Sequence, residues 1–207
     1  AALPEAMRAL RQMKSEAALL IGLADLGGAW PVMTVTGALT LIADTALQAG
    51  VRFLFRLATA KGDWLPPEAA RPEADSGYIV LAMGKHGAFE LNYSSDIDLI
   101  VLYDGARTAC PSSDIQTMLV RLTRNLVKLL HERTEHGYVF RTDLRLRPDP
   151  GSTPVALSTE AALNYYETVG QNWERAAMIK ARPVAGDLEA GREWLGHIAP
   201  FIWRKYL

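Results

Sequence analysis

The sequence predicts an α+β fold in which a helical annex precedes a small sheet with helices, and further helices follow. Three observations predict it. Residues 4 to 60 are rich in apolar side chains without strand-like alternation, and break only at Gly27-Gly28 and Pro31. Two short apolar runs, Tyr78 to Met83 and Ile97 to Tyr103, stop at Gly84 and at Asp104-Gly105, as buried strands do. Helical spacing then returns and runs to the end of the chain.

Taken in order, residues 1–60 form the annex, with two helices divided at the glycine pair. Residues 61–77 hold Pro66, Pro67 and Pro72 among charged and small residues, the composition of a surface linker. Residues 78–157 form the sheet-bearing core. Its helix spans about Ser113 to Thr134, where Ile115, Met118, Leu119, Leu122, Leu126, Leu129 and Leu130 share one side and Ser112 or Ser113 is placed to cap the start. Tyr138 to Arg147 alternates, so a strand is expected with Tyr138, Phe140, Thr142, Leu144 and Leu146 on one face. Its other face carries Val139, Arg141, Asp143, Arg145 and Arg147. After a turn region from Pro148 to Pro154, residues 158–207 form a C-terminal helical segment. Ser158 caps a helix through Glu167, a second runs from Gly170 to Arg182 before Pro183, and a third starts at Asp187.

Composition limits the function classes. The 207 residues are 49% hydrophobic, enough for a sizeable core, and 22 basic against 23 acidic side chains leave a formal charge of -1. A wrapped nucleic acid or an anionic membrane surface is therefore not expected as a partner, and any anion must be met locally. The single cysteine, Cys110, cannot form a disulfide within the chain and fits a reducing compartment. Asp44, Arg52, Lys61 and Asp63 interrupt the most apolar stretch, so no membrane span is expected. The Ala1-Ala2-Leu3-Pro4 start lacks the layout of a secretion signal, and a cytoplasmic location follows as the expectation. Beginning without methionine and ending at Arg204 to Leu207 in a helical pattern, the chain reads as a piece of a longer protein.

The chemistry is carried by Ser94-Ser95-Asp96-Ile97-Asp98-Leu99, which enters an apolar strand. Alternation brings Asp96 and Asp98 out on one face, ~6.6 Å apart along the backbone. Carboxylates that close repel one another unless a divalent cation neutralises them, and magnesium takes carboxylate and phosphate oxygens together. Asp143 adds a third acid from another strand. Three carboxylates on two strands suit a two-metal displacement at phosphorus, with Mg²⁺ as the expected cofactor and nucleotidyl transfer as the reaction class. The histidines show no zinc spacing, and no serine has the surroundings of an activated nucleophile.

Gly84-Lys85 after the first strand, with ten residues separating Lys85 from Asp96-Ile97-Asp98, resembles the polymerase-β-like nucleotidyltransferase superfamily. In that superfamily a small residue after the glycine binds a phosphate oxygen. Here Lys85 stands at that place, which leaves the phosphate contact to either Lys85 or Ser95. The resemblance goes further. Met83 to Ile100, Thr142-Asp143-Leu144-Arg145-Leu146-Arg147-Pro148, and Tyr165-Tyr166-Glu167 followed by Gly170 to Arg182 are similar, in the same order, to the signature of glutamine synthetase adenylyltransferase/adenylyl-removing enzymes.

Members of that family carry two nucleotidyltransferase halves. The Ser94-Ser95-Asp96-Ile97-Asp98 form and the Gly170-Gln171-Asn172-Trp173-Glu174-Arg175 block are more similar to the N-terminal half, which removes the adenylyl group. The resemblance implies phosphorolysis of AMP from an adenylylated tyrosine of glutamine synthetase, giving ADP and free tyrosine. It also implies a nitrogen-regulatory signalling protein as partner of a full-length enzyme. The alternatives are the half that adds AMP from ATP and a regulatory module without catalysis. Asp96, Asp98 and Asp143 are the candidate catalytic and metal-binding residues; Gly84, Lys85, Ser94, Ser95, Arg145, Arg147, Glu174, Arg175 and Lys180 are the candidates for holding nucleotide and phosphate. Each has an ordinary reading too: Arg145 and Arg147 as partners of Asp143, Lys180 and Arg182 as charges at a helix C-terminus, Trp173 as a packing anchor, and His86 as a satisfied or surface histidine.

Overall fold

The computed structural model describes residues 2–108 and 114–203. Helices α1 (Leu3–Leu26) and α2 (Val32–Lys61) form an antiparallel pair, divided where the glycine pair and Pro31 predicted. Strands β1 (Tyr78–Ala82) and β2 (Ile97–Tyr103) follow the two apolar runs and pair antiparallel, with the four-residue helix α3 (Gly84–Gly87) between them. Helix α4 (Ile115–His131) buries the expected apolar side, and Asp114 caps it by accepting from the Thr117 N–H at 2.9 Å. Ser112, Ser113, Cys110 and Arg204 to Leu207 lie outside the described residues.

Strands β3 (Thr142–Asp143) and β4 (Leu157–Ser158) both pair parallel with β2, at its start and at its end. Helix α5 (Thr159–Thr168) starts at Ser158, whose hydroxyl accepts from Ala161 N–H. Helix α6 (Asn172–Met178), strand β5 (Arg182–Gly186) and helix α7 (Leu188–Ile202) complete the order. The mixed sheet runs β3-β2-β1-β5, with β4 beside β2, so the α+β expectation holds.

Two buried strands organise the rest. Tyr78, Val80, Ala82, Ile97, Leu99 and Val101 pack with α1, α2 and α4, while Ile79, Leu81, Ile100 and Leu102 pack with α5, α6 and α7. Strict alternation on strands that are apolar on both sides thus builds a three-layer molecule. By length and composition α2 would be apolar enough to cross a membrane, contrary to the sequence expectation. Its buried side faces α1, α4 and β5 instead. The connection after α2 has neither helix nor strand, yet Trp64 is fully buried and its indole N–H donates to the Pro72 carbonyl at 2.9 Å.

Two expectations are corrected. Residues 138–147 are not a long strand. Val139 and Phe140 both direct their N–H groups to the Leu130 carbonyl at the end of α4, so the backbone is satisfied locally and only Thr142–Asp143 joins the sheet. Val139, expected on the charged face, is buried, while Phe140, Leu144 and Leu146 pack on the core and Arg141 and Arg145 are exposed as expected. The second concerns 170–182, where α6 stops at Met178 and Arg182 belongs to β5. Pro183 is tolerated there because β5 is an edge strand and its register with β1 shifts between Val80 and Leu81, the setting in which a residue without an N–H fits.

Arg11 fastens the annex to the core. It is 1% exposed, and its guanidinium donates to Met7 O at 2.8 Å, Leu129 O at 3.1 Å, Gly137 O at 2.9 Å and to Glu132 O. Three of those carbonyls lie at or just past the C-terminus of α4, where positive charge is favourable. Arg11→Met keeps the bulk and leaves the carbonyls unpaired, so urea unfolding is expected to show a loss of about 3 kcal/mol; an unchanged midpoint would show that the guanidinium bonds contribute nothing.

Candidate active site

The chain turns sharply where β1 meets α3. Met83 donates its N–H to the Asp98 carbonyl at 2.9 Å, and Gly84 follows with φ of 52°, a left-handed conformation suited to glycine. A side chain on Gly84 would place its Cβ 3.5 Å from Asp98 Oδ2, so the glycine backbone lies beside that carboxylate. Lys85 is exposed; its carbonyl accepts from Glu90 N–H at 2.8 Å, and its side chain forms no hydrogen bond or ion pair among the described residues.

Asp98 and Asp143 are register partners in the parallel pairing of β2 with β3. Directly paired residues leave the sheet on the same side, so the two carboxylates share a face. Burial and the charges of Asp143 and Asp96 raise the Asp98 carboxyl above its usual range, with Arg145 opposing. Asp143 goes the other way: hydrogen bonds from Arg145 outweigh its burial and hold it low. The Asp96 side chain is 56% exposed, with the Arg141 guanidinium 3.9 Å away.

Among the described residues no three His, Cys, Asp or Glu side chains are gathered tightly enough to hold a metal ion as they stand. Arg145 occupies Asp143 with bonds to both oxygens, at 3.0 and 2.8 Å from Nε, and Asp96 points toward solvent. The donor chemistry still fits a hard divalent cation: carboxylate oxygens from one sheet face, with Asp98 raised by burial and by its acidic neighbours and only partly offset by Arg145.

The turn before β2 is built by Asn92. Its Oδ1 accepts from Ser94 N–H at 3.1 Å, from Ser94 Oγ at 3.3 Å and from Ser95 Oγ at 2.9 Å. Ser95 Oγ in turn accepts from Asn92 N–H at 3.2 Å, and Arg141 donates to the Ser94 carbonyl at 2.7 Å. Both serine hydroxyls are therefore engaged in shaping the turn that delivers Asp96.

The remaining candidates are held elsewhere. Arg147 donates to the carbonyls of Pro154, Leu144, Pro150 and Thr153 at 2.7 to 3.2 Å and staples the turn before β4. Glu174 is buried and closes the N-terminus of its own helix, accepting from Gln171 N–H at 2.8 Å. Arg175 donates to the Phe201 carbonyl at 3.0 Å and to Asn172 Oδ1 at 3.2 Å, joining α6 to α7. Lys180 lies beyond α6, not late in a helix, and pairs with Glu90 at 2.7 Å. Trp173 is 54% exposed and is not a packing anchor, since the inward side of α6 is taken by Glu174 and Met178. His86 is a satisfied histidine, bonded through Nε2 to Asp44 Oδ1 at 2.8 Å. That pairing was not anticipated, although a lone acid in the apolar stretch of α2 was a signal for it.

A family profile described as Glutamate-ammonia ligase adenylyltransferase matches residues 2–197. The chain belongs to that family. It is 61% identical over 204 residues to the bifunctional glutamine synthetase adenylyltransferase/adenylyl-removing enzyme of Rhodopseudomonas palustris, covering 98% of this chain and 21% of the relative. The proteins of the same name from Bradyrhizobium diazoefficiens and Xanthobacter autotrophicus are each 58% identical, again over 98% of this chain and about a fifth of their own length. The chain thus spans about a fifth of the adenylyltransferase-family proteins it matches.

The charge arrangement makes two expectations. Because the folded-state pKa of Asp98 is raised, ionising it costs stability as pH rises through that value, and the cost is absent below the unfolded value near ~4. Asp98→Asn should therefore raise Tm at neutral pH by about 2 °C, a modest gain because Asp98 is only half-buried and solvent screens the repulsion, and should bring no gain at pH 3. Adding millimolar Mg²⁺ should raise the Tm of the unsubstituted chain and leave that of Asp98→Asn nearly unmoved; equal response in both would remove Asp98 from the cation site. The two arginines should separate in the same assay. Arg147→Ala is expected to lower Tm by about 3 °C through the lost carbonyl bonds, whereas Arg145→Ala leaves it close to the starting value.

Proposed function

We propose that this chain catalyses the magnesium-dependent phosphorolysis of AMP from an adenylylated tyrosine of glutamine synthetase. The observation that carries the reading is the shared face of Asp98 and Asp143, with Asp96 close enough to raise Asp98, beside the open backbone of Gly84. The name of the relatives covers both addition and removal of the adenylyl group. Removal is favoured by the Ser94-Ser95-Asp96-Ile97-Asp98 and Gly170 to Arg175 blocks, which resemble the removing half.

Asp96, Asp98 and Asp143 would hold the divalent ions, which supply charge neutralisation and an anchor for phosphate oxygens. An oxygen of inorganic phosphate forms the new bond to the adenylyl phosphorus, and the bond from phosphorus to the tyrosine oxygen breaks. ADP leaves, and the phenolate takes up a proton to become tyrosine. The Lys85 side chain, which has no partner among the described residues, would meet a phosphate oxygen, since the Ser95 hydroxyl is spent within its turn. Arg145 sits on Asp143 where it can turn a guanidinium toward phosphate, whereas Arg147, Glu174, Arg175 and Lys180 act by holding local structure.

Incubating the chain with adenylylated glutamine synthetase, Mg²⁺ and inorganic phosphate should release ADP, and Asp98→Asn should abolish the release while remaining folded. Label passing from ATP to unmodified glutamine synthetase would instead assign the adding half. A folded chain that binds glutamine synthetase but does neither would leave the non-catalytic module as the reading.

A further inference from the structure

Three polar side chains meet behind the Gly84 turn, and none takes part in the reaction steps above. Asp44 Oδ1, on α2, accepts from His86 Nε2 and from Arg182 Nη2 of β5, each at 2.8 Å. Arg182 also donates to the His86 carbonyl at 3.3 Å, and its guanidinium carbon lies 4.1 Å from the centre of the Phe89 ring. The His86 side chain is fully buried. Burial pushes its imidazole below the usual range against the pull of Asp44, so the ring is neutral at pH 7 and gives its one N–H to Asp44. Burial alone would raise the Asp44 carboxyl, but the hydrogen bonds from His86 and Arg182 and the Arg182 charge outweigh it and keep the group ionised.

An ion pair so deeply set is a weak source of stability, because losing hydration offsets most of the attraction. Its position suggests a different use. The three groups come from α2, α3 and β5 and close on the segment that holds Gly84 beside Asp98. That segment is tightly constrained: a Cβ on Gly87 would stand 1.9 Å from the Lys180 carbonyl oxygen, and Phe89 has φ of 61°, a left-handed conformation unfavourable for a bulky side chain. Such a conformation persists only where surrounding contacts enforce it. Asp44 and Arg182 clamp His86 and Phe89, and the Lys180–Glu90 pair holds the far end.

We propose that Asp44 and Arg182 are positioning residues for the nucleotide site, holding the His86 segment so that Gly84 and Lys85 keep their place against Asp98. The inference rests on the nucleotidyltransferase reading of the site. Neither side chain touches substrate; both act through the backbone of residues 84–87.

The test is calorimetric binding of Mg²⁺·ADP to the 207-residue chain and its variants Asp44→Asn, Arg182→Lys and Thr123→Val, at a temperature where each is folded by circular dichroism. Thr123→Val removes the buried 2.9 Å Tyr78–Thr123 hydrogen bond, away from the Gly84 turn, and serves as the control for lost stability alone. Asp44→Asn should weaken binding about tenfold or more, since small misplacements of a site are costly. Arg182→Lys, which keeps the charge but loses the fork, should fall between, and Thr123→Val should bind like the unsubstituted chain despite a lower Tm. Full-strength binding by Asp44→Asn, or equal weakening in Thr123→Val, overturns the clamp while leaving the nucleotide site standing. If Asp44→Asn does not fold, Arg182→Lys against Thr123→Val decides in the same way. No binding by the unsubstituted chain would remove the nucleotide reading itself, and the clamp with it.

Discussion

Backbone pairing between β2 and β3 forces two negative charges onto one side of the sheet. Asp98 and Asp143 are register partners, and Asp98 belongs to a strand buried on both faces over most of its length. Such a strand cannot relieve the repulsion by slipping, because a shift of one residue would exchange its entire set of apolar contacts. Burial first, and then the charges of Asp143 and Asp96, therefore hold the Asp98 carboxyl above its usual range in the folded state. Strain of this kind suits a site whose cation arrives with the substrate, and it explains why the most informative substitution there is expected to stabilise the chain.

The layers around the sheet hold that arrangement from both sides. Ile97, Leu99 and Val101 reach toward α1, α2 and α4, and Ile100 and Leu102 toward α5, α6 and α7, so both neighbours of Asp98 along β2 are locked into the first layer and the rest of the strand alternates between the two. The N-terminal helices are part of this support. Arg11 of α1 closes the end of α4, and Asp44 of α2 reaches the turn beside Gly84. From Asp44 the ties continue to Arg182 of β5, itself paired with β1, so the turn is held to the two elements beside it.

Features set by neighbours in sequence were legible before any coordinates. The apolar runs of β1 and β2, the Gly27-Gly28 break, the apolar side of α4 and the Ser158 and Asp187 caps all depend on local chemistry. Asp98 and Asp143 were expected to come together from two strands, and the β2–β3 register pairs them, whereas Asp96 lies just before β2 and is exposed. The alternation over 138–147 misled because a loop whose N–H groups bond back to Leu130 can alternate in sequence without being a strand. Pro183 argued for a helix end and instead sits at the irregular edge of β5, a distinction that depends on a partner strand about a hundred residues earlier. The Asp44–His86–Arg182 cluster spans 138 residues from Asp44 to Arg182, and no spacing rule links its members. Glu174 was singled out by its sequence block and Arg147 by sharing a predicted face with Asp143; what no spacing revealed is that Glu174 also caps its own helix and Arg147 staples the turn before β4.

Charge balance separates the roles of the three acids. Asp143 is matched by Arg145, and Asp96 has Arg141 within 3.9 Å, but Asp98 is left facing two neighbours of its own sign. It is also more enclosed than Asp96, so water does less to relieve it. On the proposed reading a cation at this face gains most from Asp98, then competes with Arg145 for Asp143. Arg145 is 84% exposed, so its release meets solvent and is cheap in free energy, unlike the release of Arg147 from its turn. Freed from Asp143, its guanidinium would be at hand for phosphate oxygens at this face, so the positive charge that holds Asp143 low would serve a bound anion in turn.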